Sequence, residues 1–214
     1  MSARAKICGL STPETVRAAV DGAASHIGFN FFPKSPRYVE LEAAALLAPP
    51  ARARGVKIVA VTVDPDDAFL DRLMATLKPD LVQLHGKETP SRAYQIAERT
   101  GAGIIKAISV SEASDLAGAS AFDPFVEHLM FDAKPPKDSE LPGGTGSRFD
   151  WTIMAGRRFQ RPWLLAGGLD PWNVAEALKL SGAPLADVSS GVERGPGLKD
   201  PALITAFLDA VRRA

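Results

Sequence analysis

Cysteine is almost absent from this chain: Cys8 is the only one in 214 residues. A single cysteine excludes an internal disulfide and is typical of a reducing compartment, so we expect a cytoplasmic protein. No uninterrupted apolar run approaches the roughly 20 residues that a membrane span needs. The opening "MSARAK" also lacks the apolar core of a signal peptide. We therefore expect no membrane partner.

An excess of charge of either sign is also lacking. Lysine and arginine together number 25, and so do aspartate and glutamate. Proteins that bind nucleic acid or an anionic membrane surface usually carry a basic face. The balance therefore argues against both classes of partner, and a small molecule is the expected ligand.

What the chain does contain is a repeated alternation of apolar runs and helix-like stretches. The helix-like stretches often begin with Thr-Pro or Asp-Pro, an N-cap followed by proline at the first helical position. Near-continuous apolar strands alternating with amphipathic helices indicate a parallel sheet covered by helices. The eight apolar runs are "AKICG", "HIGFNFF", "KIVAVTV", "DLVQLHG", "GIIKAIS", "HLMFDAK", "WLLAGG" and "ADVSSGV".

Eight such units in this length favour a (β/α)8 TIM barrel at the short end of its size range. An open doubly wound sheet would carry a glycine fingerprint after its first strand, whereas the glycines here follow strands 6, 7 and 8. We expect a shortened fifth helix region and a long loop after strand 6, "PPKDSELPGGTGSRFD". "LAPPARARG" is interpreted as a helix-to-strand turn, so residues 1–214 are predicted to form one domain.

The carboxyl ends of barrel strands form the active site in this fold. Cys8 ends the first strand and Asp132 ends the sixth, and strands 7 and 8 separate the two. The apolar neighbours of Asp132 favour its protonated form. A thiolate and a carboxylic acid facing each other describe a general base and a general acid. The alternative for Cys8 is a small buried hydrophobe.

Glycine-rich turns after strands 7 and 8 predict a phosphate site. "LLAGGLDPWNV" and "DVSSGVERGPGLKD" offer backbone N–H groups that no Cβ obstructs, and barrels often bind a substrate phosphate between these loops. "GGTGSRF" has neither the dinucleotide nor the P-loop spacing, so it is interpreted as a substrate loop or lid.

Histidines and lysines suggest other chemistry. His26 and His128 stand at the starting ends of strands, away from His85, so the three do not converge and we expect no metal site. Lys6 and Lys106 lie within strands. A desolvated lysine of this kind is suited to a Schiff base, unless it is paired with a carboxylate such as Asp187.

Several motifs together resemble the phosphoribosylanthranilate isomerase family over essentially the whole chain. They are "KICG", "GFNFFPKSPRYV", "VQLHG", "FDAK", "GGTG", "LAGGL-x-P-x-NV" and "DVSSGVE-x-x-PG-x-KD". The resemblance implies a cofactor-free Amadori rearrangement in tryptophan biosynthesis. In that reaction N-(5-phospho-β-D-ribosyl)anthranilate becomes 1-(2-carboxyphenylamino)-1-deoxy-D-ribulose 5-phosphate.

The resemblance also implies roles for particular residues. It implies that Cys8 is the general base, Asp132 the general acid and Arg37 the group that binds the anthranilate carboxylate. The phosphate-binding backbone that it implies comprises Gly168, Ser190 and Gly191, with Gly146 nearby. Beside these, the residues themselves suggest that Gln83 and His85 hydrogen-bond the ring-opened sugar or order the site.

Some alternatives stay open at this point. A lysine-dependent phosphosugar aldolase or lyase fits the same fold, and so does a non-catalytic barrel that binds a phosphorylated metabolite. The thiolate of Cys8 requires either a stabilising neighbour, such as Lys6, or a concerted proton transfer. The sequence is compatible with a monomer or a homodimer, and also with activity on the aminoaldose of histidine biosynthesis.

Overall fold

The computed structural model describes residues 4–136, 138–139 and 141–214. Its centre is a closed barrel of eight parallel strands in chain order, which confirms the predicted TIM barrel. The barrel closes where the first strand pairs with both the second and the eighth. The strands are β1 (Arg4–Cys8), β2 (His26–Asn30), β3 (Lys57–Thr62), β4 (Leu81–Leu84), β5 (Gly103–Val110), β6 (His128–Ala133), β7 (Trp163–Leu165) and β8 (Leu185–Val188).

Helices cover the outside of this barrel. After β5 and β6 the covering elements are 3-10 helices, Ala113–Phe122 and Trp151–Met154. The fifth helix region was expected to be shortened, but its 10 residues exceed the 9 of Pro13–Asp21, and it differs in being a 3-10 helix. No helix in the described part of the chain combines the length and apolar character needed to cross a membrane. The α-helices are α1 (Pro13–Asp21), α2 (Leu41–Leu47), α3 (Pro49–Ala53), α4 (Asp67–Thr76), α5 (Pro90–Thr100), α6 (Val174–Ser181) and α7 (Pro201–Arg212).

The Thr-Pro and Asp-Pro pairs differ in what they start. Thr12, Thr89 and Asp200 are N-caps whose side chains accept a backbone N–H of the first helical turn, as predicted. The other two pairs were wrongly placed as helix starts. Asp64 has a positive φ of 46° and accepts the N–H of Lys87, so α4 begins only at Asp67.

Asp170 is the second exception. Its Oδ1 accepts the N–H groups of Trp172 and Asn173, which forms a turn, and α6 begins after this turn at Val174. In both exceptions the aspartate stabilises a loop at the carboxyl edge of the barrel instead of capping a helix. These loops approach the barrel mouth.

Two other segments differ from expectation. "LAPPARARG" was wrongly interpreted as a turn: Pro49–Ala53 forms the short helix α3, since proline is well suited to the first position of a helix. A small antiparallel hairpin, β9 (Glu193–Gly195) with β10 (Leu198–Lys199), follows β8 and was not predicted. Of the predicted loop after strand 6, Lys137 and Glu140 lie outside the described residues, as do residues 1–3.

Side chains alternate between two apolar layers along each strand. Ile7 belongs to the larger layer between sheet and helices, whereas Cys8 belongs to the cluster that fills the barrel interior. Alternation with a period of two thus directs Cys8 inward, at the last position of β1. Lys6 shares that inward parity one layer deeper and is fully buried.

Candidate active site

Cys8 lies at the barrel mouth above a buried ion pair. Nζ of Lys6 lies 2.8 Å from Oδ1 of Asp187, so the predicted pairing of this lysine is present. Burial raises the pKa of the Cys8 thiol, while the positive charges of Lys6 and Lys199 act in the opposite direction. The net direction is upward, and the thiol is therefore favoured over the thiolate.

Asp132 and His85 form a close pair across the mouth from Cys8. Nε2 of His85 lies 3.2 Å from Oδ2 of Asp132, and Nδ1 of His85 lies 3.0 Å from the amide nitrogen of Gln83. The side chains of His85 and Asp132 are both largely buried. Within the described residues, Nε2 of His85 and Oε1 of Gln83 are buried without a well-formed hydrogen bond. Buried polar atoms rarely lack a partner, so the site has unused hydrogen-bonding capacity beside Asp132.

Arg37 is held by a carboxylate of the β9 strand. Its Nε and Nη2 donate to the two oxygens of Glu193 at 2.7 and 2.8 Å. Nζ of Lys199 donates to the same Glu193 at 2.6 Å and to the carbonyl of Ser189 at 2.9 Å. The outer edge of the guanidinium, at Nη1, faces Gly144 of the loop after β6. One edge of Arg37 is thus occupied and the other edge is directed at the cavity.

Gly168 lies under the loop that follows β6. Its φ is +63°, and a Cβ there would lie 2.8 Å from the carbonyl oxygen of Ser147 and 2.9 Å from that of Gly146. Only glycine meets both requirements without strain. Arg148 and Asn173 donate to the carbonyl of Gly168 at 2.9 Å each, and they fix the turn from both sides.

One cavity collects most of the residues predicted for the site. Its volume is about 740 Å³, including the open mouth. Gly191 is the exception: it is half-buried, packs against the backbone of Leu169 and does not line the cavity. The predicted residues that line the cavity are Cys8, Arg37, Gln83, His85, Asp132, Gly146, Gly168 and Ser190.

The two strand lysines are both paired. Lys106 contacts Glu88 at 2.7 Å and donates to the carbonyl of Gly86 at 2.8 Å. Neither Lys6 nor Lys106 is among the described residues that line the cavity. A lysine nucleophile needs a neutral amine near the substrate, so this arrangement does not favour Schiff-base chemistry.

His26 and His128 lie at the amino-terminal edge of the barrel, as predicted. Their rings meet edge to face with centroids 5.7 Å apart. Burial and the neighbouring His128 lower the pKa of His26 to about 3. This pair lies at the base of the barrel, where residues stabilise the fold and do not contact a substrate.

Sequence reasoning did not assign Glu193 and Lys199. Both stand in the quoted segment "DVSSGVERGPGLKD", yet nothing in their spacing shows that a hairpin folds them back onto Arg37. Gly143 was also unassigned. A Cβ on it would lie 2.6 Å from both Oδ2 of Asp132 and Nε2 of His85.

A thiol and a carboxyl from β1 and β6 therefore share one cavity with a carboxylate-held arginine and a glycine-lined turn. Acid–base catalysis on a small anionic substrate, inside a TIM barrel, is the class of activity that this fold and cavity define.

The comparisons with known proteins make the assignment specific. The chain belongs to the N-(5′-phosphoribosyl)anthranilate isomerase family, whose model matches residues 5–210. It is 70% identical over 210 residues to the isomerase of that name from Caulobacter vibrioides, covering 98% of this chain and 96% of the relative. The family predicted from the motifs is confirmed, and the activity is phosphoribosylanthranilate isomerisation in tryptophan biosynthesis.

Solved structures agree with this assignment. Phosphoribosylanthranilate isomerase from Thermotoga maritima superposes with a TM-score of 0.86 at 34% identity, covering 99% of this chain and all of that chain. A second isomerase structure, with reduced 1-(o-carboxyphenylamino)-1-deoxyribulose 5-phosphate bound, has a TM-score of 0.82 at 31% identity. It covers 99% of this chain and 100% of that one.

Proposed function

We propose that Cys8 is the general base and Asp132 the general acid of the isomerisation. The observation that carries the proposal is that both groups line one cavity from strands that β7 and β8 separate. This arrangement lets the two groups act on different atoms of one bound substrate. The reaction needs one proton delivered and one removed, and the site offers one group for each.

Asp132 gives its proton to the furanose ring oxygen in the first step. The bond from that oxygen to C1′ breaks, and the nitrogen lone pair of the anthranilate forms the C=N bond. Asp132 is left as a carboxylate. A largely buried carboxyl group that lines the cavity is suited to this role, because general acids act within hydrogen-bond reach of the atom that they protonate.

In the second step the thiolate form of Cys8, produced when the thiol releases its proton to solvent, takes the proton from C2′, which gives the enolamine that tautomerises to the ketone. Since burial raises the pKa of Cys8, the thiolate is the minor form at neutral pH. A resting thiolate, one of the two possibilities left open by the sequence, is therefore not part of this proposal. The positive charges of Lys6 and Lys199 oppose the effect of burial on the pKa of Cys8, and they stabilise the thiolate once it forms.

Arg37 binds the anthranilate carboxylate through its outer guanidinium edge. Its inner edge is occupied by Glu193, so a carboxylate in the cavity meets Nη1 and the second hydrogen of Nη2. An arginine that is already held loses little side-chain entropy on binding. The phosphate lies at the opposite side, on the backbone of Gly168 and Ser190 with Gly146 above, and Gly191 supports the turn from below.

Kinetics of single variants test these roles in an assay that follows the loss of phosphoribosylanthranilate fluorescence without added metal or nucleotide. Cys8→Ala and Asp132→Asn are expected to lower kcat by about 10²- to 10⁴-fold with little change in KM. Arg37→Ala is expected mainly to raise KM. Each acid–base variant should still bind the reduced product, which shows that its cavity is intact. Near-normal turnover by Cys8→Ala or Asp132→Asn would refute the assignment.

The remaining expectations form part of the same proposal. One catalytic domain over residues 1–214 is supported by α7 packing against α1, since this contact joins the two ends of the chain. A cytoplasmic location follows from the single cysteine together with the biosynthetic activity. The protein is proposed to act as a monomer or homodimer on a phosphorylated small molecule, with no cofactor or nucleic acid. Gel filtration with light scattering distinguishes the two oligomeric states.

A further inference from the structure

The contacts of Asp132 show how its proton is directed. Among the described residues, His85 is the one side chain that makes a close charged contact with this carboxyl group, through Nε2 and Oδ2 at 3.2 Å. Gln83 in turn contacts the other ring nitrogen, Nδ1, at 3.0 Å through its amide nitrogen. Three side chains from β4 and β6 therefore form a chain that ends at the acid.

The tautomer of His85 follows from this chain. An amide nitrogen donates, so Nδ1 accepts from Gln83 and the ring proton of neutral His85 is on Nε2. Nε2 lies 3.2 Å from Oδ2 of Asp132, although the two groups are not aligned as a hydrogen bond in this structure. With the amide turned round, Nδ1 would carry the proton and a lone pair on Nε2 would face the carboxylate. The amide orientation in this structure is the one that leaves Nε2–H available to donate to Asp132.

Gly143 encloses the contact between the acid and the imidazole. Its α-carbon passes so close to the pair that a Cβ would lie 2.6 Å from each of the two facing atoms. The loop after β6 thus keeps water from competing for Oδ2. A hydrogen bond to a charged group is stronger in such a place than in water.

We propose that His85 is the positioning residue for Asp132, with its tautomer set by Gln83. With substrate bound, its N–H donates to Oδ2, so the acidic proton of Asp132 is confined to Oδ1, the oxygen left for the substrate. When Oδ1 gives that proton to the ring oxygen, the same hydrogen bond stabilises the carboxylate that remains. No proton leaves His85, and the balance of the step is unchanged. The two groups lie 3.2 Å apart and come into alignment on substrate binding, since catalytic hydrogen bonds are often poorly aligned in the free enzyme and tighten in the complex.

This inference rests on the proposed role of Asp132 and predicts a particular pattern of kinetics. His85→Leu removes the N–H and is expected to lower kcat by about 10- to 100-fold, with KM within about threefold of the original. His85→Gln supplies an amide N–H in place of the imidazole N–H, and it is expected to recover much of that loss. Gln83→Leu, which releases the tautomer, should lower kcat in the same direction but less.

A double-mutant cycle separates this role from a purely structural one. If His85 acts through Asp132, His85→Leu has no further effect on kcat in the Asp132→Asn background, whereas independent contributions would multiply. Lys87→Ala, an exposed neighbour in the same loop, is the control for general disturbance and should leave kcat unchanged.

These results distinguish a failure of the proposed function from a failure of the role of His85. Full activity of Asp132→Asn would overturn the proposed function itself. A normal effect of Asp132→Asn combined with equal kcat for His85→Leu and His85→Gln would overturn only the role of His85. An increase in KM alone, or multiplicative effects in the cycle, would likewise contradict a positioning role and indicate direct substrate contact by His85.

Discussion

Replacing Glu193 by glutamine tests most directly how the charged groups at the cavity stabilise the protein. Within the described part of the chain, Glu193 is the one carboxylate that contacts both Arg37 and Lys199, through hydrogen bonds of 2.6 to 2.8 Å. The side chains of all three are at most 7% exposed. Glutamine has nearly the same shape and keeps one acceptor oxygen. Its effect therefore reports the loss of the charge rather than the loss of packing.

The expected cost follows from the two cations that remain. Breaking a buried ion pair by removing one partner costs about 3–5 kcal/mol, because the other charge is left uncompensated. Here one anion offsets two cations, so we expect Glu193→Gln to lower the free energy of unfolding by about 3 kcal/mol or more. That is a large part of the 5–15 kcal/mol typical of a folded protein. Arg37 also loses its support, and KM is expected to rise.

The difference in the free energy of unfolding between the original protein and Glu193→Gln should change with pH in a definite direction. Burial raises the pKa of Glu193, but the hydrogen bond from Arg37 and the charge of Lys199 outweigh burial and lower the pKa below its ordinary value. A carboxyl group whose folded-state pKa is lowered stabilises the protein above its unfolded-state pKa, about 4.3, and loses this contribution as the pH falls further. The gap between the original protein and Glu193→Gln should therefore narrow below about pH 4.3.

Urea denaturation at neutral pH and in the acidic range measures both effects. Glu98→Gln makes the same chemical change on the exposed face of α5 and should alter stability by less than about 0.5 kcal/mol. A loss below about 1 kcal/mol in Glu193→Gln at neutral pH would refute the reasoning. So would a gap that widens on acidification.

Three further predictions concern other parts of the molecule. Gly168→Ala places a Cβ against the loop after β6 at a positive φ, so it should raise KM by about tenfold or more with a smaller effect on kcat, measured by steady-state kinetics. Because burial raises the pKa of Cys8, the rate of alkylation by iodoacetamide should keep rising above pH 9; a plateau near pH 8 would contradict this. The pKa of His26 is lowered to about 3, so the unfolded chain binds a proton between about pH 6.5 and 3 that the folded chain does not. As the pH is lowered through that range, the free energy of unfolding should decrease by up to about 1.4 kcal/mol per pH unit. His26→Gln should make this decrease smaller, as measured by urea denaturation at several pH values.

The barrel was predictable because its signal is repeated eight times. Val- and Ile-rich runs between helix-like stretches indicate a parallel sheet without any knowledge of long-range contacts. The carboxyl-end rule then places Cys8 and Asp132 at the mouth. What the pattern did not distinguish is an aspartate that caps a helix from one that stabilises a loop. Asp64 and Asp170 precede proline as Asp200 does, and only Asp200 caps its helix.

The supporting contacts of the site were less predictable, since they join residues far apart in the chain. Arg37 and Glu193 are separated by 156 positions, and Lys6 and Asp187 by 181. Periodicity carries no information about such pairs. The partner of Lys6 was nevertheless foreseeable in kind, because a lysine inside a barrel must be paired with a carboxylate. Glu193 offered no comparable constraint until the β9–β10 hairpin brought it to Arg37.

In the proposed function, the two ends of the cavity use different physical means to hold an anionic substrate. At the Arg37 end, two cations and one anion leave one positive charge in excess, at a guanidinium edge facing the cavity. At the Gly168 end the cation Arg148 is paired with Asp170, so the proposed phosphate site consists of backbone donors. A substrate without a carboxylate would leave the charge of Arg37 uncompensated inside the cavity. Such a substrate is disfavoured by an unpaired buried charge as well as by a missing contact, and this asymmetry makes the Arg37 end the more selective of the two.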